Sequence, residues 1–361
     1  MCLADEAPPI KVLQVMSGAG VGGIETFFFD AVEALHLAGL RQHVAIRPNV
    51  PSRQIARLKE LGIGVTTAGF RPLWPWPTHR ALERVHRSFC PQIAQYWTGR
   101  AGHFARRQTG CANIGWFGGY RQMTDFRACD DFIAITPDLE RHLRDGGVDE
   151  SHIARVHTFS TLQEGPVSPV SRARFDTPDD VALLLVLARL HPKKGIDTLL
   201  YALKEVDGAF LWIAGEGPNR KEYEELAHTL GLDARVRFLG WQEDRAGLLS
   251  ACNICVMPSR FEPFGTVMAE AWSARRPLIV AAAQGPRAFV RDGENGLMVP
   301  IDNPAALAAA IRLILNAPDL AERLVEGGTR SFENAFTAKA YVRGTFALYR
   351  RVLARTQSTG A

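Results

Sequence analysis

The chain has 361 residues, 47% of them hydrophobic and 22% charged, which is enough apolar material for two domains and excludes disorder as its main state. Its 42 basic and 38 acidic residues leave a net charge of +4, too small an excess for a nucleic-acid binder. The longest strictly apolar run, 181–188, is far too short to span a membrane. Acidic residues and prolines near the start predict no secretory signal, and six cysteines in so long a chain predict reduced thiols and a cytoplasmic location.

Short apolar runs alternate with amphipathic stretches along the chain. The runs predict strands at 10–16, 44–46, 93–97, 112–116 and 132–136, and again at 181–188, 210–214, 236–239, 254–257 and 278–280. Helical patterns between them cover 24–38, 195–206, 220–230 and 305–316. This alternation predicts two parallel α/β sheets, each with helices on both faces.

The domain boundaries follow from a change of composition. Residues 166–180 carry prolines and polar side chains without periodicity, which is typical of a linker. We therefore expect an N-terminal domain at 1–165, a linker at 166–180 and a C-terminal domain at 181–336. A last helix within 337–361 is expected to pack back on the first domain.

A glycine-rich turn follows the first predicted strand. Gly18, Gly20 and Gly23 fit G-x-G-x-x-G, a spacing that lets the backbone approach a phosphate at a helix start. A dinucleotide site needs an acid at the end of the second strand, where this chain has Arg47. The readings left open are an NADP-dependent oxidoreductase, with Arg47 on the 2′-phosphate, and a plain strand-to-helix turn.

The second half carries a sharper pattern, placed at the carboxyl ends of predicted strands, where open α/β sheets bind ligands. Arg189 and Lys194 are two cations after one strand, which suits a pyrophosphate. Glu262 and Glu270 follow another strand, and a carboxylate accepts two hydrogen bonds from the vicinal hydroxyls of a sugar or ribose.

A helix is predicted to begin directly after Gly265. The backbone N–H groups of Gly265, Thr266 and Val267 are then free donors at a helix start and can receive an anion, with the helix dipole adding about 0.3–2 kcal/mol. The plain alternative for Glu262 and Glu270 is that one caps the helix and the other is a surface residue.

These motifs taken in order resemble the retaining glycosyltransferases of family 4. The resemblance rests on Arg189-x4-Lys194-Gly195, on G-E-G-P at 215–218, on V-R-F-L-G at 236–240, on Glu262-x7-Glu270 and on D-G-E-N-G-L-M-V-P at 292–300. It is strong over 181–316 and weaker over 1–165, where G-G-I-E at 22–25 is the best match. It implies the GT-B fold, in which two Rossmann-like parallel-sheet domains face each other across a cleft.

The resemblance implies a role for each matched residue. Arg189, Lys194 and Glu262 would be catalytic, the two cations neutralising the donor's diphosphate and Glu262 holding hydroxyls of the donor sugar. Glu270 would hold the ribose. The remaining donor-binding residues would be Gly22, Gly23, Gly217, Leu239, Gly265, Thr266 and Val267.

The implied activity is transfer of a sugar, with retention, from a nucleotide-diphosphate sugar to a glycan or lipid-linked acceptor of polysaccharide or lipopolysaccharide type. The donor is a co-substrate, no resident cofactor is implied, and no metal is expected because no D-x-D carboxylate pair lies in a predicted loop.

The chain departs from the family in two places. Relatives carry a histidine after the fourth or fifth strand of the first domain, whereas 95–100 and 114–120 contain none, and His103 is a poor substitute. A glutamate is also missing from the turn at 283–288. A non-catalytic, GT-B-like sugar-binding protein therefore remains an alternative.

Two further features have plain alternatives. Cys252 and Cys255 are spaced like a zinc or redox pair, but no second pair follows, and we expect buried structural cysteines. Residues 71–107 hold seven arginines and one acid, with Trp74 and Trp76 among them. We expect this patch to meet an anionic acceptor or the inner leaflet of the membrane, the alternative being a solvated arginine-bearing helix.

Overall fold

The computed structural model describes residues 9–18, 23–160, 162 and 167–358. The chain divides into two compact units, residues 1–158 with 338–361, and residues 159–337. The first sheet has seven parallel strands in the order β3-β2-β1-β4-β5-β6-β7. They are β1 Lys11–Val15, β2 Arg41–Ile46, β3 Gly64–Thr67, β4 Ile93–Tyr96, β5 Ala112–Phe117, β6 Asp131–Ala134 and β7 Ile153–Arg155.

Helices connect these strands and complete the N-terminal unit. They are α1 Gly23–Leu37, α2 Ser52–Glu60, α3 Trp76–Phe89, α4 Gly99–Gly102, α5 Pro137–Asp145 and, at the end of the chain, α13 Ala338–Ser358. The strand order reverses at β1, which lies between β2 and β4. The loops after β1 and β4 therefore flank the point at which such sheets bind ligands.

The second unit repeats this plan with six parallel strands in the order β10-β9-β8-β11-β12-β13. They are β8 Ala182–Leu187, β9 Ala209–Ala214, β10 Val236–Gly240, β11 Ile254–Met257, β12 Leu278–Ala281 and β13 Leu297–Val299. The helices are α6 Ile196–Lys204, α7 Arg220–Thr229, α8 Arg245–Ala251, α9 Thr266–Ser273, α10 Gln284–Phe289, α11 Pro304–Asn316 and α12 Pro318–Ala335. The order reverses at β8, between β9 and β11.

The predicted pair of parallel α/β sheets is confirmed, and each predicted strand overlaps an observed one. The structure adds β3, β7 and β13, three strands of three or four residues. All three lie at a sheet edge. Such strands carry too few apolar residues to give a period-2 pattern, which is why the sequence did not indicate them.

The last helix belongs to the N-terminal unit. Tyr341 packs edge-on against Phe27 of α1, with ring centroids 5.4 Å apart. The Tyr349 hydroxyl donates to Gln95 Oε1 at 2.7 Å, and both side chains are buried. Burying this aromatic face against the sheet ties α13 to a strand more than 200 residues earlier in the chain.

The stretch expected to be a linker is held against the C-terminal unit over its described part, 167–180. Arg172 donates to the carbonyl oxygens of Ala251 at 2.9 Å and Val181 at 2.8 Å, and to Asn253 Oδ1 at 3.0 Å. Val170 N donates to the Gly247 carbonyl at 3.0 Å. The guanidinium thus fastens a segment whose described part includes a single short 3-10 turn, Arg172–Phe175.

Over the described residues, no single helix has the length and apolar composition to cross a bilayer. One bent pair, α11 with the helical stretch after it, meets the criterion by length and composition only. The apolar face of α11 is used within the protein, because Leu307, Ile311 and Ile314 are buried in the core of the C-terminal unit.

Candidate active site

Three segments meet at the carboxyl ends of β8, β9 and β11. Leu190 N donates to the Glu216 carbonyl at 3.0 Å, which joins the segments after β8 and β9. Arg260 N donates to the Lys193 carbonyl at 2.9 Å, which joins the segments after β8 and β11. The sequence placed its candidate residues on these segments, and the parallel sheet brings the segments together at one edge.

Glycines allow these segments to approach so closely. A Cβ at Gly217 would lie 2.2 Å from the Leu190 carbonyl oxygen, and one at Gly285 would lie 2.3 Å from that of Phe264. Backbone atoms cannot move aside as a flexible side chain can. Gly217, predicted to bind the donor, therefore has a packing role, and its donor contact stays a prediction.

Lys194 and Glu262 are in direct contact. Lys194 Nζ lies 2.5 Å from Glu262 Oε2, and the two side chains are 25% and 15% exposed. Ser259 Oγ is 3.4 Å from the same carboxylate oxygen. The Gly285 N–H donates to the Glu262 carbonyl at 2.7 Å, which fixes the backbone of Glu262. An ammonium has three donors, so Lys194 retains capacity for an anionic ligand.

Arg189 follows β8 and is exposed. Its guanidinium makes no hydrogen bond or ion pair with any residue that the structure describes. It is therefore an available fixed cation on the loop that also carries Lys194.

The start of α9 has the predicted form. Gly265 has φ +92° and precedes the helix, and Thr266 and Val267 are its first residues, both half-buried. The left-handed φ favours glycine at this turn. The first N–H groups of α9 have no partner within the helix and point out of its N-terminus.

Glu270 lies one turn further along α9 and is only 1% exposed. Its carboxylate forms an ion pair with the guanidinium of Arg245, the first residue of α8. The sequence did not indicate this partner, because Arg245 is a single arginine at the start of a short helix, 25 residues before Glu270.

Arg260 is a further residue of the candidate site whose contacts the sequence did not indicate. Its guanidinium donates to both carboxylate oxygens of Asp197, at 2.9 and 2.6 Å, and to Asp302 Oδ1 at 2.6 Å. It also donates to the Pro192 carbonyl at 2.6 Å. Hydrogen bonding with Asp197 first, and then with Asp302, raises the pKa of Arg260. Arg260 thereby fixes the loop carrying Glu262 against the loop carrying Lys194.

The remaining predicted donor residues are spread over other elements. Leu239 is half-buried in β10, where its carbonyl accepts from Gln242 Nε2 at 2.6 Å. Gly23 is the first residue of α1, with nothing within 4 Å of a Cβ built on it. Gly22 lies outside the described residues.

The structure shows where His103, the poor substitute for the family histidine, lies. The loop after β4 continues through Thr98 to α4, and His103 lies just past α4. His103 Nε2 is 2.9 Å from Asp125 Oδ1, and its side chain is 52% exposed. The histidine is thus engaged with a carboxylate of its own unit.

Cys252 and Cys255 are buried free thiols, as predicted. Burial raises the pKa of the Cys252 thiol to about 12 and that of Cys255 well above its ordinary value. Such thiols stay protonated and pack as small apolar groups. Across the described part of the chain, no three His, Cys, Asp or Glu side chains group as a metal site.

Comparison with known proteins shows the family of the chain. Residues 168–331 match the family model described as glycosyl transferases group 1. The lipopolysaccharide core biosynthesis glycosyltransferase LpsD of Rhizobium meliloti (strain 1021) is 33% identical over 353 residues, which cover 96% of this chain and 100% of LpsD. The chain belongs to the group 1 glycosyltransferase family. A second relative of this glycosyltransferase, LpsE of the same organism, is 34% identical over 88% of the chain and 93% of LpsE.

Solved structures show the same fold. Sucrose-phosphate synthase of Thermosynechococcus elongatus superposes with a TM-score of 0.78 at 24% identity, covering 96% of this chain and 100% of that one. Anabaena HepE in complex with UDP-glucose gives 0.76 at 18% identity, covering 97% and 100%. The predicted GT-B fold class and the resemblance to glycosyltransferases are confirmed, and the oxidoreductase alternative is not favoured.

Proposed function

We propose that this glycosyltransferase transfers a sugar, with retention, from a nucleotide-diphosphate sugar to a glycan or lipid-linked acceptor of the lipopolysaccharide core. The acceptor class is supported by the names of LpsD and LpsE, the two full-length relatives. The donor class is supported by HepE, a protein of the same fold whose structure contains UDP-glucose. The observation that carries the proposal is the contact of Lys194 with Glu262 beside the available Arg189.

The leaving group is stabilised by charge. Breaking the bond between the anomeric carbon and the phosphate oxygen develops negative charge on the diphosphate. In the proposal, Arg189 and Lys194 neutralise that charge, and the N–H groups of Thr266 and Val267 add hydrogen bonds and the helix dipole. Because these groups supply the stabilisation, no metal is assigned to the reaction.

The two glutamates hold hydroxyl groups. Lys194 donates to the diphosphate with the N–H groups that its contact with Glu262 leaves unused, and the Glu262 carboxylate accepts hydrogen bonds from the donor sugar. Glu270 accepts from the ribose, with Arg245 orienting its carboxylate. Each hydrogen bond to a charged group contributes about 1.5–3 kcal/mol.

Retention follows when the acceptor attacks on the face from which the diphosphate departs. The acceptor oxygen bonds to the anomeric carbon as the bond to the diphosphate breaks, and the acceptor proton passes to the leaving diphosphate. Such a step needs no histidine base, which suits a chain that has none at the two expected places.

Glutamine variants of the two glutamates test this assignment. Glu262→Gln is expected to lower kcat by about 10- to 100-fold, because a charged acceptor on the reacting sugar is lost. Glu270→Gln is expected to raise the donor KM more than it lowers kcat, because the ribose does not react. A panel of UDP-, GDP- and ADP-sugars, scored by thermal stabilisation, first identifies the donor.

Glu322→Gln is the matched control, because Glu322 is an exposed residue of α12 outside the site. It is expected to leave kcat and KM unchanged. Unchanged turnover in both Glu262→Gln and Glu270→Gln would show that the roles are wrongly assigned, whereas stabilisation by none of the sugars would reject the donor class.

The proposal also places the chain in the cytoplasm, with a peripheral contact to the inner leaflet through residues 71–107. Leu73 and Trp74, which precede α3, are 102% and 65% exposed, and Trp76, its first residue, is 62% exposed. Arg80 and Arg84 follow on the same helix. The single acid of the segment, Glu83, has its carboxylate 3.6 Å from the guanidinium of Arg106 and 3.9 Å from that of Arg87. Apolar anchors beside arginines fit an anionic lipid surface.

Vesicle flotation tests this contact. The chain is expected to float with vesicles containing phosphatidylglycerol and not with phosphatidylcholine alone. Replacing Arg80 and Arg84 by glutamine is expected to weaken binding about tenfold or more, at about 1 kcal/mol for each charge. Tyr201→Ala, which removes an exposed aromatic residue of α6, is the control. Flotation without dependence on anionic lipid would contradict the proposal.

A further inference from the structure

A second candidate site lies wholly within the N-terminal unit. A cavity of about 340 Å³ opens at the carboxyl edge of its sheet and is lined by Ser17 after β1 and Thr98 after β4, among others. These two loops flank the reversal of strand order at β1. The rule that places ligands at this point of an open α/β sheet therefore applies to this cavity independently of the C-terminal site.

Three arginines line the cavity: Arg47, Arg100 and Arg121. None of the three side chains makes a hydrogen bond or ion pair with any residue in the described part of the chain. Arg47 Nε is moreover a buried donor with no hydrogen-bond partner among the described residues. Buried donors in proteins are almost always satisfied, and this one lies at a cavity wall, where a ligand can supply the acceptor.

Asp125, a carboxylate among the described residues that line the cavity, is already engaged. Asp125 Oδ1 is 2.9 Å from His103 Nε2. Asp125 Oδ2 is so close to the loop backbone that a Cβ at Gly99 would lie 2.4 Å from it. Glu25 is a second carboxylate nearby, since a Cβ at Gly18 would lie 2.5 Å from its Oε1. Three arginines therefore face two carboxylates, and among the described residues none of the three is paired with either.

The walls of the cavity are held in place. Ser17 Oγ and Thr98 Oγ1 are 2.7 Å apart and join the two loops, and Thr98 Oγ1 also accepts from Ala101 N at 3.2 Å. A guanidinium presents a rigid fork of donors that matches the oxygens of phosphate or carboxylate. The volume admits a sugar ring as well as its anionic group, since one water occupies only about 30 Å³.

We propose that this cavity is an acceptor subsite that binds the phosphate or carboxylate group of an anionic sugar through Arg47, Arg100 and Arg121. The inference rests on the proposed function only in calling the bound sugar an acceptor. The proposed function assigns the donor's diphosphate to Arg189 and Lys194 in the other unit, which leaves this cavity to the acceptor.

Binding of small sugars to the full chain tests the subsite by calorimetry at fixed salt. The probes are glucose 6-phosphate, glucuronate and neutral glucose. We expect one or both anionic sugars to bind at least about tenfold more tightly than glucose, and Arg47→Gln, Arg100→Gln and Arg121→Gln each to remove about tenfold or more of that preference. The preferred probe identifies phosphate or carboxylate as the group recognised.

Arg343→Gln is the control, because Arg343 is an exposed residue of α13 that does not line the cavity. It is expected to bind the probes like the unaltered chain. Anionic sugars that bind no better than glucose, or equally well in all three cavity variants, would overturn the proposal.

Titration of UDP, GDP and ADP into the same samples separates this inference from the proposed function. The cavity variants are expected to retain nucleotide binding, which also shows that they are folded. Nucleotide that displaces the anionic sugar would identify the cavity as part of the donor site and overturn the subsite. Absence of nucleotide binding in the unaltered chain would reject the proposed donor while leaving an arginine-dependent anion site in place.

Discussion

Replacing Arg189 or Lys194 by glutamine is expected to lower kcat for sugar transfer by about 10²- to 10³-fold each, by analogy with the loss of one oxyanion-hole donor. The charge on the diphosphate develops mainly as the sugar–phosphate bond breaks, so a fixed cation contributes more to the transition state than to the bound donor. The donor KM is therefore expected to change less than kcat. Steady-state kinetics with the donor identified by thermal stabilisation measures both.

Among the described residues, loss of Lys194 leaves a carboxylate without its partner, and loss of Arg189 does not. Lys194→Gln removes the partner of Glu262, whereas Arg189 has no partner to lose among the described residues. A double variant is expected to lose less than the product of the single effects, because both cations act on one leaving group. Lys221→Gln, an exposed lysine of α7 paired with Glu225 at 3.6 Å, is the control. Transfer at unaltered kcat in both single variants would contradict the charge mechanism.

Gly195→Ala is expected to destabilise the C-terminal unit by about 3 kcal/mol or more and to abolish transfer. Gly195 has φ +64°, where a non-glycine residue costs about 1–2 kcal/mol. In addition, its Cβ would lie 2.1 Å from the Pro258 carbonyl oxygen, so the loops after β8 and β11 would have to separate. That separation would move Lys194 away from Glu262.

Gly208→Ala is the control that separates the cost of the backbone angle from the cost of the contact between Gly195 and Pro258. Gly208 has nearly the same φ, +68°, but nothing lies within 4 Å of its Cβ. It is expected to lose only about 1–2 kcal/mol and to retain transfer. Urea unfolding measures the free energy of unfolding of both variants, which are compared with the unaltered chain at the same m value. Equal losses in the two variants would show that the contact with Pro258 is unimportant.

The placement of the candidate segments in the C-terminal unit was predictable because each segment is local in sequence. Each candidate segment directly follows an apolar run, and the rule that parallel strands end at one sheet edge brings such segments together. Gly265 and the helix start after it are likewise encoded within a few residues. Burial of Cys252 and Cys255 followed from the apolar strand into which they run.

Other contacts could not be predicted from sequence patterns, because the two residues of each contact lie far apart in the chain. Arg260 binds Asp197 and Asp302, 63 and 42 residues away. Arg245 meets Glu270 across two elements. A lone arginine gives no sequence signal of its partner, since most isolated arginines are solvated surface charges.

The sequence by itself determined the class of fold, the ordered motifs of the candidate donor site and the local turns that position them, because hydrophobic period and glycine placement act over short distances. Only the tertiary structure decided which charges meet. It paired Lys194 with Glu262 and gathered Arg47, Arg100 and Arg121 at one cavity. Side chains on separate loops come together only when the sheet has fixed the order of its strands, and that order is a property of the whole chain.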